Sequence, residues 1–97
     1  MMTTTNCAPR FLSGRTLITP RAMAAIVNAG DNPSAFLDRH FAGDWGDLNK
    51  ADKWANEIAL RDGERIQSAY VMRNGLKVWI ITEADRSATT MLLPSEY

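Results

Sequence analysis

The stretch RIQSAYVMRNGLKVWIITE, residues 65–83, decides the fold of this 97-residue chain. Two runs rich in β-branched and aromatic residues flank the pair Asn74-Gly75 at its centre. An Asn-Gly pair between two such runs is the strongest short-range signal for a two-residue type I′ hairpin. The sequence therefore predicts an antiparallel hairpin in which Tyr70 faces Trp79.

The predicted register places large apolar side chains on both faces of the hairpin. Val71, Val78 and Ile80 share one face, and Tyr70 and Trp79 share the other. A sheet with one solvated face would alternate more cleanly between apolar and polar residues. Two alternatives follow for the second face: either the N-terminal segment folds across it, or Tyr70 and Trp79 contact another protein.

The remaining strands and helices are predicted from local signals on either side of the hairpin. Residues 88–93 form a third strand ended by proline, and residues 10–18 form a short strand that can extend the sheet. Three helices lie between them, because each starts with a residue that caps helix N-termini. The three start signals are Thr19-Pro20, Asn32-Pro33 and Asn49.

The third predicted helix shows a clear apolar stripe. Its members recur at helical spacing and indicate a helix lying on the core; they are Ala51, Trp54, Ala55, Ile58 and Ala59. The expected fold class is α+β, with three short helices packed on a C-terminal antiparallel three- to four-stranded sheet. Residues 10–97 form this single domain, after a flexible leader at residues 1–9.

Composition and charge exclude several classes of protein. Hydrophobic residues make up 45% of the chain and charged residues 23%, as in ordinary globular domains. The formal net charge is zero, which argues against both a strongly basic nucleic-acid binder and an acidic DNA mimic. Residues 31–64 contain eight acidic and four basic residues, so the middle third is either a solvated acidic surface or an electrostatic docking face.

The expected compartment is the cytoplasm. The single cysteine, Cys7, excludes an intramolecular disulfide, and the first twenty residues contain no apolar run of signal-peptide length. The uninterrupted apolar stretch at residues 78–81 is far too short to cross a membrane.

Motifs that carry catalytic or metal chemistry are mostly missing. A phosphate-binding glycine loop and a Gly-x-Ser-x-Gly elbow are both absent. His40, Asp44 and Asp47 lack the dense alternation of oxygen ligands found in calcium loops, so neither a metal nor a cofactor is predicted. The loop Glu83–Ser87 combines two carboxylates, a guanidinium and a hydroxyl, but turn chemistry explains such a loop equally well. No catalytic residue is therefore assigned.

Two sequence blocks carry a resemblance to a known family. They are RHFAGDWGD (residues 39–47) and WIITEADRSATT (residues 79–90), followed by the closing LLPSEY (residues 92–97). From about residue 33 onward, the chain resembles a family of small uncharacterised bacterial proteins carried on plasmids, integrative elements and prophages. The resemblance implies a mobile-element context and supplies no catalytic residue.

The first functional hypothesis is a non-enzymatic accessory protein that binds another protein. The partner would belong to the host or to a defence complex, as for an anti-CRISPR or anti-restriction inhibitor; a homodimer is another use of the same surface. Neither nucleic acid nor a membrane is an expected partner. The candidate contact residues are Asp44, Trp45, Asp47, Tyr70, Trp79, Glu83, Asp85 and Arg86.

Two further hypotheses come from other classes. A small enzyme, or an enzyme subunit, would use the Glu83–Ser87 loop together with His40 or Asp44, and it requires these groups to converge in a pocket. Weak nucleic-acid binding would use the basic N-terminal third, whose charges are Arg10, Arg15 and Arg21.

Overall fold

The computed structural model describes residues 9–97 as four strands, three helices and a closing 3₁₀ turn. In chain order the elements are β1 (Arg15–Ile18), α1 (Pro20–Asn28), α2 (Pro33–Phe41), α3 (Lys50–Asp62), β2 (Ile66–Val71), β3 (Lys77–Thr82), β4 (Ala88–Leu92) and the turn Pro94–Glu96. The predicted α+β class is confirmed. Except for Pro9, the leader expected at residues 1–9 lies outside the described residues, as does Cys7.

The three helices begin where the sequence pattern predicts. The side chains of Thr19, Asn32 and Asn49 accept hydrogen bonds from backbone N–H groups two or three residues later, at 3.1, 3.0 and 2.8 Å. Each bond satisfies one of the N–H groups that the first turn of a helix leaves without a partner. The helix starts therefore depend on chemistry that is local in the sequence.

The four strands form one sheet in the order β1-β4-β3-β2. β2 pairs antiparallel with β3, and β3 with β4, whereas β1 runs parallel to β4. The N-terminal strand thus extends the sheet as expected, but its direction makes the sheet mixed. A parallel neighbour requires a long crossover connection, and the three helices between β1 and the hairpin supply it.

The hairpin between β2 and β3 forms where it is predicted, but its loop has three residues instead of two. The N–H of Gly75 donates to the carbonyl of Met72 at 2.9 Å, and Gly75 has a φ of 87°. This geometry is a type I turn followed by a left-handed glycine. The longer loop shifts the register by one residue, so Tyr70 faces Val78. The predicted pairing of Tyr70 with Trp79 is wrong.

The shifted register places Tyr70 and Trp79 on opposite faces of the sheet, because successive side chains of a strand point to opposite sides. The inner face packs against α1 and α2, and its buried residues are Ile66, Ser68, Tyr70, Met72, Val78, Ile80, Thr82, Thr89 and Met91. The outer face consists of the alternate strand positions Arg15, Leu17, Gln67, Ala69, Val71, Lys77, Trp79, Ile81, Ala88, Thr90 and Leu92.

α3 contacts the rest of the fold through a different face from the predicted one. Its buried residues are Asn56 and Ala59, whereas Trp54 is 65% exposed. Asn56 donates from Nδ2 to the carbonyl of Gln67 at 2.6 Å and accepts the N–H of Gln67 at 3.2 Å. These two bonds attach α3 to the edge of β2 that does not pair with β3, where the backbone groups need other partners. Of the predicted apolar stripe, Ala59 is buried and Ile58 half-buried, whereas Ala51, Trp54 and Ala55 are exposed, so the predicted packing is wrong for these three.

Candidate partner-binding surface

The outer face of the sheet is the candidate partner-binding surface. The closing turn Pro94–Glu96 contacts β3, and the ring of Tyr97 meets the ring of Trp79 edge-on, with centroids 5.5 Å apart. Arg65 donates to the Tyr97 hydroxyl at 2.6 Å and holds the chain end in place. Tyr97 is 62% exposed, Val71 47% and Leu17 41%. The face therefore exposes apolar groups at its edge strands and at Tyr97, whereas its central residues Ala69, Ile81 and Leu92 are buried.

The N-terminal segment lies on the helical side of the molecule. Arg10 pairs with Glu57 of α3 through both terminal nitrogens, at 2.8 and 3.1 Å. Phe11 stacks on the ring of Trp45 with centroids 6.2 Å apart. Residues 9–14 therefore do not cover the outer face of the sheet, and the alternative in which the N-terminal segment folds across that face is wrong for these residues.

The charges that border the outer face are mainly basic. Arg15, Arg65 and Lys77 are exposed there, and the acidic Glu83, whose N–H bonds to Ala88, is exposed just after β3. Lys77 pairs with the predicted contact residue Asp47, with Nζ and Oδ2 3.1 Å apart and both side chains about half exposed. Exposed ion pairs contribute only about 0–1 kcal/mol, so this pair can open at little cost when a charged partner approaches.

Two of the predicted contact residues, Trp45 and Tyr70, are buried. Trp45 is 4% exposed, and its Nε1–H donates to Glu57 at 2.8 Å. Tyr70 is 1% exposed, stacks on Phe36 at 5.5 Å and donates its hydroxyl hydrogen to the carbonyl of Asp44 at 2.7 Å. Burial raises the pKa of Tyr70. Both rings hold the Asp44-Trp45 loop against the core, so neither candidate contact residue faces solvent.

Asp44 itself is exposed, but its carboxylate is engaged within the chain. Arg39 Nε lies 2.7 Å from Asp44 Oδ2, and this hydrogen bond lowers the pKa of Asp44. Asp44 Oδ1 also accepts the backbone N–H of Gly46 at 3.1 Å, the bond by which an aspartate stabilises a turn. The observed role of Asp44 is thus to shape its own loop.

The charged loop from Glu83 to Ser87 is ordered by bonds to backbone groups. The Arg86 guanidinium donates to carbonyl groups near the end of α3 and in its own turn, namely those of Ala59, Glu64 and Glu83. The Ala59 carbonyl also accepts the N–H groups of Gly63 and Glu64, so Arg86 adds a charged donor where α3 ends. Asp85 accepts the N–H of Ser87 at 3.0 Å, and hydrogen bonds from Ser87 lower its pKa. Arg86 is therefore structural, while Glu83 and Asp85 remain exposed.

His40 is fully buried within a chain of hydroxyl groups. Thr89 donates its hydroxyl hydrogen to the carbonyl of Ser13 at 2.7 Å. A hydroxyl has one hydrogen, and that of Thr89 is already used, so Thr89 accepts the hydroxyl hydrogen of Thr82 at 2.8 Å. The hydrogen of Thr82 is then used as well, so Thr82 accepts from His40 Nε2–H at 2.9 Å. His40 Nδ1 then accepts from Ser68 at 2.6 Å. Burial lowers the pKa of His40 to about 3, so the ring is neutral.

The residues of the enzyme hypothesis are not brought together. Both ring nitrogens of His40 are bonded to hydroxyl groups, and no hydrogen bond in the described chain joins His40 to Asp44 or to residues 83–87. Among residues 9–97, no three His, Cys, Asp or Glu side chains gather to hold a metal ion. His40 links α2 to the inner face of the sheet, which is a structural role.

Sequence reasoning missed several residues of the surface, among them Leu17, Arg65 and Tyr97. The correct alternation along β1 and β2 would have placed Leu17 and Arg65 on the same side as Trp79. Tyr97 had no comparable signal, because its position depends on a distant contact. Glu96 accepts the hydroxyl hydrogen of Thr19 at 2.7 Å, and this bond directs the chain end across the sheet.

Comparison with known proteins assigns the chain to no family. No protein-family model matches it, and neither the curated proteins nor the solved structures contain a significant match. Within residues 9–97, no helix combines the length and the apolar character needed to cross a bilayer. The structure itself defines the chain as an α+β domain whose outer sheet face carries Trp79 and Tyr97.

Proposed function

We propose that the protein is a non-enzymatic binding module that docks another protein on the outer face of its sheet. The observation that carries the proposal is the exposed ring of Tyr97 packed on Trp79 of the outer face, with Leu17 and Val71 also exposed on the two edge strands. Aromatic side chains of these two types most often anchor protein interfaces. Contiguous apolar surface exposed to water is unfavourable, and it marks interaction sites in folded proteins.

The partner surface should be apolar at its centre and acidic at its rim. Arg15, Arg65 and Lys77 border the outer face, and complementary charges speed association and reject wrong partners. The finer proposal is that a mobile element uses the protein in the bacterial cytoplasm to inhibit a defence complex. The resemblance of residues 39–47 and 79–90 supports this finer proposal.

Replacing Trp79 and Tyr97 together by alanine tests the docking surface. Tyr97 is mostly exposed and Trp79 is only partly buried, so the double variant should still fold. Affinity capture from lysates that contain several defence systems should recover a stoichiometric partner with the wild-type protein. Capture by the variant should fall at least about tenfold, since an aromatic anchor contributes about 2 kcal/mol or more.

A matched control is available on α1. Val27 is 59% exposed and lies away from the sheet, so Val27→Ala should capture the same partner as the wild type. Trp45→Ala is unsuitable, because truncating this buried ring costs about 3–5 kcal/mol of stability. Equal capture by the wild type and by Trp79→Ala/Tyr97→Ala would contradict the surface assignment. Recovery of the bait alone from every lysate would contradict protein binding.

A second candidate function is binding of single-stranded nucleic acid on the same face. Bases stack on exposed aromatic rings while cations contact phosphates, and the outer face holds both types of group: Trp79, Tyr97, Arg15, Arg65 and Lys77. The N-terminal basic third contributes less than expected, because Arg10 is paired with Glu57. Binding of a labelled oligonucleotide that weakens steeply with salt would favour this candidate, and no binding at low salt would exclude it.

A further inference from the structure

A cleft lies between the first half of α3 and the edge of β2 that does not pair with β3. Its volume is about 250 Å³, slightly below the about 300–1,000 Å³ of sites that hold drug-sized ligands. Apolar and polar side chains both form its walls; the lining residues are Leu48, Asp52, Ala55, Asn56, Arg65 and Gln67. The size and the mixed lining suit a small polar ligand that also carries an apolar group.

Backbone contacts fix the order of the polar groups along the cleft. The loop before α3 donates an N–H to the carbonyl of Ala69 at 2.7 Å, and Asn56 in the middle of α3 bonds to the backbone of Gln67. α3 therefore runs antiparallel to β2, and Asp52 in its first turn lies on the Ala69 side of Gln67. Arg65 precedes Gln67 by two residues and lies on the other side. Along the cleft, the order is thus carboxylate, carboxamide and guanidinium.

These three side chains keep hydrogen-bonding groups that their own fold does not use. Within residues 9–97, neither the Asp52 carboxylate nor the Gln67 carboxamide takes part in a hydrogen bond or an ion pair, since both residues bond through their backbones alone. Arg65 donates from Nη1 to the Tyr97 hydroxyl at 2.6 Å, and its Cζ lies 5.1 Å from the centre of the Tyr97 ring. Tyr97 therefore holds the guanidinium in place, while its other N–H groups remain for an anion.

The order of these groups is complementary to a short peptide with free ends. A dipeptide carries an ammonium at one end, an amide in the middle and a carboxylate at the other end. Asp52 can accept from the ammonium, the Gln67 carboxamide can bond to the amide, and Arg65 can donate to the carboxylate with its planar fork. Leu48 and Ala55 supply the apolar wall for a side chain of the peptide.

We propose that the cleft between α3 and β2 binds free dipeptides, with the ammonium on Asp52 and the carboxylate on Arg65. A single amino acid holds its two charges on one carbon and is too short to reach both residues. An internal segment of a protein has neither terminal charge, so the site selects short peptides with unblocked ends. Because the cleft is open and both charged residues are exposed, binding should be weak, with a Kd of about 0.1–1 mM.

Nuclear magnetic resonance titration of the isotope-labelled protein with alanyl-leucine tests the site. The backbone amide signals of Leu48, Ala55 and Gln67 should shift and saturate. The N-acetylated dipeptide and the dipeptide amide each lack one terminal charge, so each should bind at least about tenfold more weakly, as should free leucine. The absence of a saturable shift at these amides up to about 10 mM dipeptide, or equal binding of the blocked forms, would overturn the proposal.

A variant of Asp52 tests the orientation of the peptide. Asp52→Asn should bind alanyl-leucine at least about tenfold more weakly but bind the N-acetylated form like the wild type, because that form has no ammonium to lose. Asp38→Asn removes an equally exposed carboxylate from α2 and should leave binding unchanged. Unchanged affinity of Asp52→Asn for alanyl-leucine would contradict the proposal. Trp79→Ala should bind the dipeptide normally, which separates a failure of this proposal from a failure of the proposed function.

Discussion

Lowering the pH from 7 to 5 should cost the protein about 2 kcal/mol of unfolding free energy through His40 alone. In the folded state, burial lowers the pKa of His40 from 6.5 to about 3. Between pH 3 and pH 6.5, the unfolded chain therefore carries a proton on His40 that the folded chain does not carry. Stability is full above pH 6.5 and falls as the pH decreases through this window.

The magnitude follows from the surroundings of the ring. At pH 5 about 97% of unfolded histidine is protonated. Folded His40 stays neutral, since it is fully buried and both of its nitrogens are bonded to hydroxyl groups, those of Ser68 and Thr82. Integrated from pH 7 to pH 5, the difference in protons bound by the unfolded and folded chains lowers the unfolding free energy by about 2 kcal/mol. This loss is a large fraction of the total stability of a small domain.

Urea denaturation at pH 7, 6 and 5 measures this loss, with His40→Gln as the matched control. The chain has one histidine, and carboxylates titrate mainly below this range, so the pH slope belongs to His40. Glutamine can keep a hydrogen bond to a neighbouring hydroxyl but has no proton to gain. The variant should be less stable at pH 7 and independent of pH down to 5. A flat wild-type profile, or an unchanged slope in His40→Gln, would refute the reasoning.

Two further predictions concern the edge of β2. Gly46→Ala should cost about 3 kcal/mol or more, because Gly46 has a φ of 73° and an added Cβ would overlap the carbonyl oxygen of Ala69. Gly63→Ala is the control: Gly63 has a φ of 71°, but an added Cβ would meet open space, so this variant should lose only about 1–2 kcal/mol of unfolding free energy. Urea denaturation measures both losses. Equal losses for Gly46→Ala and Gly63→Ala would contradict the close contact between Gly46 and Ala69. Asn56→Ala should cost about 1–3 kcal/mol, because it leaves the backbone of Gln67 unpaired. Hydrogen exchange should show the Gln67 amide losing protection, and unchanged protection would count against the edge contact.

The elements could be predicted because their signals act over a few residues. Capping by Thr19, Asn32 and Asn49 involves N–H groups in the next turn, so the helix starts are visible in the sequence. The Asn74-Gly75 pair likewise located the hairpin. Its loop length could not be predicted from the pair, because a glycine with positive φ suits both two- and three-residue loops. Packing of the β3 side chains against the helices selects between the two registers.

The candidate surface was predicted less well, for a physical reason that Trp45, Tyr70 and Trp79 illustrate. A large aromatic ring gains free energy by leaving water, whether it enters the core or an interface. Its residue type therefore does not distinguish the two destinations. Trp79 lies on the outer face as part of the proposed surface, whereas Trp45 and Tyr70 complete the core. A one-residue shift in the hairpin was enough to separate Tyr70 from Trp79.

By itself the sequence determined the α+β class, the helix starts and the position of the hairpin, since each depends on neighbouring residues. Only the tertiary structure decided which sides of the elements face the core. The side chain of Asn56 reaches the Gln67 backbone at the edge of β2, and this contact turns Trp54 outward. An edge strand must satisfy its backbone hydrogen bonds, and that requirement outweighs the burial of an apolar stripe when both compete for one helix.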